Sequence, residues 1–364
     1  RTHSITYTLC KNNGKFVFFG QGDKVSTDYG ETFQDESSTS YAPDKNPYKV
    51  RFVGYKFIGT VGQELWESLN GYNWTRMTGG GHYFNTTDFQ YATGNTSSNN
   101  LLKLVSGKDG SGNNLLIAAT EQKNLYYSRD GGYNWFKYDS ANNYRERQYG
   151  TSGLGTDPNT QVLGLTYAEG TWIICGENSK IKYSTDGYNF TDTGVSIDDV
   201  TFRDVIYHVD RFIIVGKKDD FTGYVGYSTD KGVTWTFDTT QFAGIETTSH
   251  NYGGVHDGPL RLVSDNSGTV IAVVDHDNNQ NTTKNVWYSL DSGLTWTSVD
   301  FSYFPLYYSD PDCFWNGHRF FLGWRIYSRG AYTSWSTDGI NWTTPYNGSP
   351  NGYPSARYMW TNFY

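Results

Sequence analysis

Residues 127–135 read Tyr-Ser-Arg-Asp-Gly-Gly-Tyr-Asn-Trp (YSRDGGYNW), and this phrase returns along the chain. Written as Ser-x-Asp-x-Gly-x-x-Trp, it begins at Ser128, Ser228 and Ser289, and at Ser26 with Phe33 in place of Trp. A form one residue shorter begins at Ser68, Ser184 and Ser336. The seven copies start between 42 and 61 residues apart. Spacing in this range is typical of one supersecondary unit that is repeated and whose copies share a core.

Each copy of the phrase predicts a turn between two strands. Short apolar runs such as Trp172–Cys175 and Phe212–Val215 precede it and are typical of buried strands. The serine ends the next strand, the aspartate accepts backbone N–H groups in the turn, and glycine supplies a positive φ. We therefore assign a structural role to the residue two places after each serine, namely Asp28, Asn70, Asp130, Asp186, Asp230, Asp291 and Asp338.

The repeat predicts an all-β fold. One repeat makes a four-stranded antiparallel blade, and seven blades in a ring leave only short, protected edges. We predict a seven-bladed β-propeller over residues 1–344, with the last blade ending at Thr344. Residues 345–364 are rich in aromatic side chains and are predicted to be a tail that packs on the propeller or on a neighbouring chain.

On these seven phrases the chain resembles the Asp-box (BNR) β-propellers, a group that includes sialidases, xyloglucan-cleaving hydrolases, sortilin-type receptors and photosystem assembly factors. The resemblance spans nearly the whole chain. It implies the propeller fold, and it implies that the boxes are structural turns on the face away from the usual ligand site. It implies no particular activity, because one fold carries many functions.

Composition favours a protein that works outside the cell. Charged residues make up 18% of the chain, aromatic residues another 18%, and the net charge is −8. The negative charge argues against a nucleic-acid partner. No run of the sequence has the apolar length of a membrane span. The three cysteines lack the spacing of a zinc site, so we expect no metal and no cofactor.

Strand order predicts which loops share a face. The turns between second and third strands, among them Glu177–Lys180 and Trp324–Arg329, lie opposite the repeated phrase, together with the connections between blades. Aromatic rings beside hydrogen-bonding groups suit the apolar faces and hydroxyls of sugars. The predicted ligand-binding residues on this face are Tyr83, Tyr144, Arg145, Arg147, Tyr149, Tyr252, Trp324, Arg325 and Tyr327.

Catalytic groups are harder to find. The resemblance implies that a sialidase would carry an Arg-Ile-Pro or Arg-Val-Pro phrase, and neither occurs. Other glycoside hydrolases need two carboxyl groups that flank the scissile bond. Glu121, Glu177, Asp219 and Asp275 lie on the predicted ligand face and are the weak candidates for such a pair. The two aspartates stand in polar stretches where a solvated carboxylate is the ordinary state.

We therefore expect a non-catalytic recognition propeller that binds carbohydrate or a receptor on a cell surface. Its polar and aromatic composition favours an extracellular or virion setting, such as a component of a phage tail or fibre, with other subunits of an assembly as further partners. Two alternatives stay open. One is a glycoside hydrolase on the same scaffold, and the other is a purely structural assembly module.

Overall fold

A computed structural model describes residues 9–12, 15–18, 24–26, 34–35, 48–61, 64–70, 73–77, 101–120, 125–138, 161–219, 222–242, 258–275, 286–299, 309–326, 330–343 and 346–347. Every regular element in these ranges is a β-strand. The strands form seven antiparallel sheets of four strands each, and within every sheet the strands lie in chain order. No helix in these ranges is long and apolar enough to cross a membrane.

The first four sheets occupy residues 9–192. Sheet one contains β1 (Leu9–Asn12), β2 (Lys15–Phe18), β3 (Lys24–Ser26) and β4 (Gln34–Asp35). Sheet two contains β5 (Tyr48–Phe52), β6 (Phe57–Val61), β7 (Glu64–Ser68) and β8 (Thr75–Arg76). Sheet three contains β9 (Leu101–Lys108), β10 (Asn114–Thr120), β11 (Leu125–Ser128) and β12 (Phe136–Lys137). Sheet four contains β13 (Val162–Ala168), β14 (Thr171–Gly176), β15 (Ile181–Ser184) and β16 (Thr191–Asp192).

The last three sheets occupy residues 200–347. Sheet five contains β17 (Val200–His208), β18 (Arg211–Lys218), β19 (Gly223–Ser228) and β20 (Thr236–Asp238). Sheet six contains β21 (Gly258–Ser264), β22 (Val270–Asp275), β23 (Val286–Ser289) and β24 (Thr297–Val299). Sheet seven contains β25 (Ser309–Trp315), β26 (Phe320–Ile326), β27 (Gly330–Ser336) and β28 (Tyr346–Asn347). Its last strand lies beyond the boundary predicted at residue 344.

Neighbouring sheets pack face to face through apolar side chains, and the second strands explain why. In β14, Ile173 and Cys175 contribute to the core shared with sheet five, whereas Trp172 and Ile174 contribute to the core shared with sheet three. Successive residues of a strand point to opposite faces, so a strand that is covered on both sides reads as a continuous apolar run. Each such side chain contributes roughly 1.5–3 kcal/mol when it is removed from water.

The same arrangement repeats from sheet two to sheet seven. Buried apolar clusters join sheets two and three, three and four, four and five, five and six, and six and seven. First strands of successive sheets also contact one another, as β9 does with β13 and β17 with β21. Sheet one meets sheet two through β1 and β5. The first strands therefore lie on the inner side of the array.

The inner strands carry a repeated irregularity. In six sheets the pairing register between first and second strands shifts near the start of the first strand. Lys103, Gly164 and Asp204 each follow this shift in their own strand. Such bulges bend a strand and redirect its side chains. These three positions lie together on the inner side of the array.

Antiparallel order sets two edges. First hairpins, such as 169–170, and the turns between third and fourth strands, such as 128–135, share one edge, which we call the turn edge. Turns between second and third strands, such as 177–180, share the opposite edge with the strand ends from which the chain passes to the next sheet. We call this second edge the loop edge.

Candidate functional site

The repeated phrase builds one hydrogen-bonded turn, seen clearly between β11 and β12. Ser128 Oγ donates to Asp130 Oδ1 at 2.9 Å and accepts the Gly132 N–H at 2.8 Å. Asp130 Oδ1 accepts the Asn134 N–H at 2.8 Å, and Oδ2 accepts Asn134 Nδ2 at 2.5 Å. Trp135 Nε1 donates to the Gly132 carbonyl at 2.7 Å. The side chains of Ser128, Asp130, Asn134 and Trp135 thus find partners within the turn.

The other described copies repeat these bonds. The serine hydroxyl donates to the aspartate at 2.8 Å in the turns of Asp186, Asp230, Asp291 and Asp338. In sheet two Asn70 Oδ1 accepts from Ser68 Oγ at 3.1 Å and from the Asn73 N–H at 2.9 Å. Asn therefore supplies the acceptor that Asp supplies elsewhere. Asp28, predicted for the same position, lies outside the described residues.

The turn aspartates stay ionised over a wide pH range. Burial on its own would raise the pKa of Asp338, but hydrogen bonds from the N–H and Nδ2 of Asn341 outweigh it and lower that pKa to about 2. The pKa values of Asp130, Asp186, Asp230 and Asp291 are lowered in the same way. A carboxylate that is fully engaged by its own turn is a poor general acid at neutral pH.

The role of the side chain just before the last aromatic residue of the phrase was not predicted from the sequence. Asn134, Asn189 and Asn341 donate their amide Nδ2 to the second aspartate oxygen. Thr234 and Thr295 donate their hydroxyl to the same oxygen, both at 2.6 Å. The signal was available, because every complete copy carries Asn or Thr at this place.

The predicted ligand-binding residues fall mostly outside the described residues. Those whose placement is not described are Tyr83, Tyr144, Arg145, Arg147, Tyr149, Tyr252 and Tyr327. The sequence analysis placed Trp324 and Arg325 in a turn, and this was wrong. They lie within β26, where they pair with Tyr332 and Ala331 of β27. β26 ends at Ile326 and β27 begins at Gly330, so both strands extend into the stretch predicted as a turn or its flank, and Tyr327 itself lies outside the described residues.

Two of the four carboxyl candidates can be placed with their contacts. Glu177 Oε2 accepts the Gln161 N–H at 2.9 Å, and the Glu177 N–H donates to the Gln161 carbonyl at 3.2 Å. Glu177 thus ties its own turn to the start of sheet four. Asp219 is exposed, and its backbone N–H donates to Asp199 at 3.0 Å. Glu121 lies outside the described residues, and Asp275 is described only as the end of β22.

The inner side of the array holds an ion pair that sequence analysis did not identify. Lys103 Nζ of sheet three lies 2.8 Å from Asp204 Oδ1 of sheet five, and both side chains are buried. The Asp204 carboxylate also accepts the N–H of Leu262 in sheet six and the N–H of Val205, both at 3.0 Å. The available signal was a single charged residue inside an apolar strand, LLKLV at 101–105.

Gly164 makes room for this pair. It belongs to sheet four, which lies between sheets three and five, and a Cβ at this position would lie 3.1 Å from the Asp204 Cα. A buried ion pair of this kind fixes how sheets meet, and it contributes little net free energy of unfolding. Among the described residues, no group of three or more His, Cys, Asp or Glu side chains is placed to hold a metal ion.

Comparison with known proteins identifies the fold. The chain matches no protein-family model and no curated protein. A structure of YCF48 bound to D1 peptide is similar with a TM-score of 0.54 and 12% identity, over 88% of each chain. YCF48 from Cyanidioschyzon merolae gives a TM-score of 0.51 and 13% identity, over 93% of this chain and 96% of that one. A GH74 xyloglucanase from Xanthomonas campestris gives a TM-score of 0.44 and 11% identity, over 95% of this chain and 67% of that one.

The two YCF48 structures are β-propellers, so the chain has the β-propeller fold. Identities this low speak for the fold alone. The expectation of an all-β chain built from four-stranded antiparallel sheets is confirmed.

Proposed function

We propose that the seven sheets close into a seven-bladed ring that works as a non-catalytic recognition module outside the cell. Six successive sheet-to-sheet contacts, from sheet one to sheet seven, support the ring. Contact between sheets seven and one would complete it. The repeated turns then have the structural role that the Asp-box resemblance implies. A compact ring of this length should have a radius of gyration of about 21 Å.

The observation that carries the recognition role is the meeting of the longest connections at the loop edge. Residues 77–100, 138–161 and 239–257 each join a fourth strand to the next first strand, so their ends all lie at this edge. Loops anchored on a rigid scaffold are where binding residues concentrate. These three segments contain Tyr83, Tyr144, Tyr149 and Tyr252 with Arg145 and Arg147.

The partner that this set suits is a carbohydrate or a glycosylated receptor. Flat aromatic rings pack against the C–H faces of sugars, and guanidinium groups donate several directional hydrogen bonds to hydroxyls and carboxylates. A virion or phage-fibre setting follows from the same polar and aromatic composition. A propeller of similar fold is bound to a peptide, which supports a protein surface as a further partner of this chain.

The glycoside hydrolase alternative needs a pair of free carboxyl groups about 5–10 Å apart. Of the candidates, Glu177 is engaged by the backbone of Gln161, and Asp219 is exposed in a turn. These contacts support binding over hydrolysis. A reducing-sugar assay separates the two functions, because a hydrolase would release reducing sugar from the glycans that it binds.

The test is binding of the purified chain to a glycan array, compared with Tyr144→Ala and Trp324→Ala. We expect each variant to lower the affinity for a bound glycan about tenfold, which corresponds to about 1.4 kcal/mol. Tyr55→Ala is the matched control, because Tyr55 is an exposed aromatic residue on the turn edge. Absence of binding to glycans and to host envelopes would refute the proposal, and equal losses in all three variants would place binding elsewhere.

A further inference from the structure

Lys182 differs from other buried lysines of the molecule because it has no partner. Lys56 forms an ion pair with Glu67 at 2.6 Å, and Lys103 forms one with Asp204 at 2.8 Å. Lys182 is only 4% exposed, and within the described ranges its Nζ takes part in no hydrogen bond and no ion pair. Removing a cation from water without pairing it is unfavourable, and proteins ordinarily avoid it. Lys182 therefore lacks a counter-charge in contact with it.

Strand pairing places Lys182 at the loop edge, on the side of sheet four that faces sheet three. It is the second residue of β15 and lies opposite Ile174 of β14 and Asp192 of β16. Side chains directly opposite one another in antiparallel strands share a face. Ile174 packs in the core shared with sheet three, so Lys182 lies at the loop-edge end of that core. Its Nζ is not one of the fully buried atoms that lack a partner, so a ligand at this edge can reach it.

The carboxylate opposite Lys182 is engaged by other groups. Asp192 Oδ2 lies 3.4 Å from Lys180 Nζ, and Asp192 Oδ1 accepts the Gly194 N–H at 2.9 Å. Burial lowers the pKa of Lys182, the charge of Asp192 opposes this effect only in part, and the charge of Lys180 lowers the pKa further. Two ammonium groups beside one carboxylate leave an excess of positive charge at this place.

The fold does not require a lysine at this position. The equivalent residue in each sheet stands two places before the serine of the repeated phrase, and sheet one also has a lysine there, Lys24. The other five sheets have an uncharged residue instead, namely Trp66, Tyr126, Gly226, Trp287 and Ser334. A charge that the repeated unit does not need, and that no neighbour neutralises by contact, indicates a role in binding.

We propose that Lys182 binds an oxyanion at the loop edge between sheets three and four, namely the carboxylate or sulfate group of an acidic sugar. The oxyanion would accept N–H groups from Lys182 and supply the counter-charge that the chain lacks. Lys180 would add a longer-range attraction. The proposal rests on glycan binding at the loop edge, and it specifies that the preferred glycans are acidic.

The first test compares glycans that differ only in an acidic group: a uronic acid against the parent hexose, and a sulfated against an unsulfated glycan. The wild type should bind the acidic member of at least one pair about tenfold more tightly, and the pair that responds identifies the group. Lys182→Met should abolish this preference, and Lys182→Arg should retain part of it because the charge is kept. A wild type that binds both members equally, or a preference that survives in Lys182→Met, would overturn the proposal.

The matched control is Lys231→Met, which removes an exposed lysine from the turn edge. It changes the net charge by the same amount as Lys182→Met and should leave the preference for acidic glycans unchanged. Loss of the preference in this control would show that overall charge, and no local site, drives it.

Urea unfolding gives a measurement that needs no glycan. Lys182→Met should unfold at a higher urea concentration than the wild type, because it removes a desolvated cation without a partner. Replacing chloride by sulfate at equal ionic strength should raise the midpoint of the wild type more than that of Lys182→Met. A lower midpoint for Lys182→Met in chloride, or equal sulfate shifts, would contradict the oxyanion site.

The two measurements separate this inference from the proposed function. A sulfate shift that depends on Lys182, with no glycan bound, would reject glycan recognition and keep the oxyanion site. Binding of neutral glycans without such a shift would reject the oxyanion site and keep glycan recognition.

Discussion

At the residue scale, His208 is a buried titratable side chain between two described sheets. It ends β17 and is fully buried between sheets five and six, with Nδ1 2.6 Å from Ser264 Oγ. Its Nε2 is buried and has no hydrogen-bond partner. Burial lowers the pKa of His208, and attraction to Asp265 and Asp210 opposes that effect only in part. Arg211, from the same hairpin, lowers this pKa further.

A buried, neutral histidine predicts loss of stability in acid. Below the unfolded-state pKa of about 6.5, the unfolded chain binds a proton that folded His208 resists, so the free energy of unfolding falls as pH drops through that range. His208→Asn keeps a polar atom near the Nδ1 position and removes the titration. Between about pH 7.5 and about pH 5, urea unfolding should show the wild type losing roughly 1 kcal/mol more than the variant.

The variant also serves as the control for the other six histidines, which both proteins share. Ser264→Ala tests the contact itself, and we expect it to destabilise the protein at both pH values, because it removes a hydrogen bond without changing which groups titrate. Equal pH dependence in wild type and His208→Asn would contradict the assignment.

At the scale of elements, the glycine of the repeated turn packs closely against the neighbouring sheet. Gly232 of sheet five has a φ of 82°, and a Cβ there would collide with Ile173 Cδ1 of sheet four. The same holds at the next interfaces, where a Cβ on Gly293 would lie 2.8 Å from Ile213 and one on Gly339 2.6 Å from Ile271. The turn therefore needs glycine for close approach as well as for its backbone conformation.

Gly232→Ala and Gly194→Ala separate these two needs. Gly194 has a φ of 74°, and its Cβ would meet nothing within 4 Å. We expect Gly194→Ala to cost about 1–2 kcal/mol from backbone strain alone. Gly232→Ala should cost roughly 1–3 kcal/mol more, because the added methyl overpacks the interface with sheet four. Chemical denaturation of both variants measures the difference, and equal losses would show that close approach to Ile173 is unimportant.

Strand positions could be read from the sequence where apolar runs and turn residues mark them. The run Trp172–Cys175 lies in β14 and Phe212–Val215 in β18, as predicted. Trp324 was misplaced in a turn, although no Gly, Asn or Asp interrupts the sequence from Trp324 to Tyr327. Pairing with β27 extends β26 to Ile326. Similarly, β28 at Tyr346–Asn347 forms because β27 offers it a free edge, which no local signal records.

At the scale of the whole molecule, one buried network links three sheets. Lys103 of sheet three pairs with Asp204 of sheet five, and Asp204 accepts the Leu262 N–H of sheet six. Removing one member of such a pair leaves a buried charge without compensation, which costs far more than the pair contributes.

Lys103→Met should therefore lower the free energy of unfolding by about 3–5 kcal/mol. Adding Asp204→Asn removes the uncompensated charge and keeps an acceptor for Leu262, so the double variant should be more stable than Lys103→Met alone by at least about 1 kcal/mol. A double-mutant cycle by urea unfolding measures this coupling. Strictly additive losses would mean that the two side chains do not interact in solution.

The sequence by itself determined the repeated turn and the strand-rich fold, because both depend on short-range chemistry: a serine, an acceptor and a glycine at fixed spacing after a buried strand. Only the tertiary structure decided that Lys103 contacts Asp204 and that His208 is buried against Ser264. Each of these contacts joins residues of two different sheets that are about 60–100 positions apart in the sequence. Which side chains meet across such distances is set by how the sheets pack, and local sequence carries no record of it.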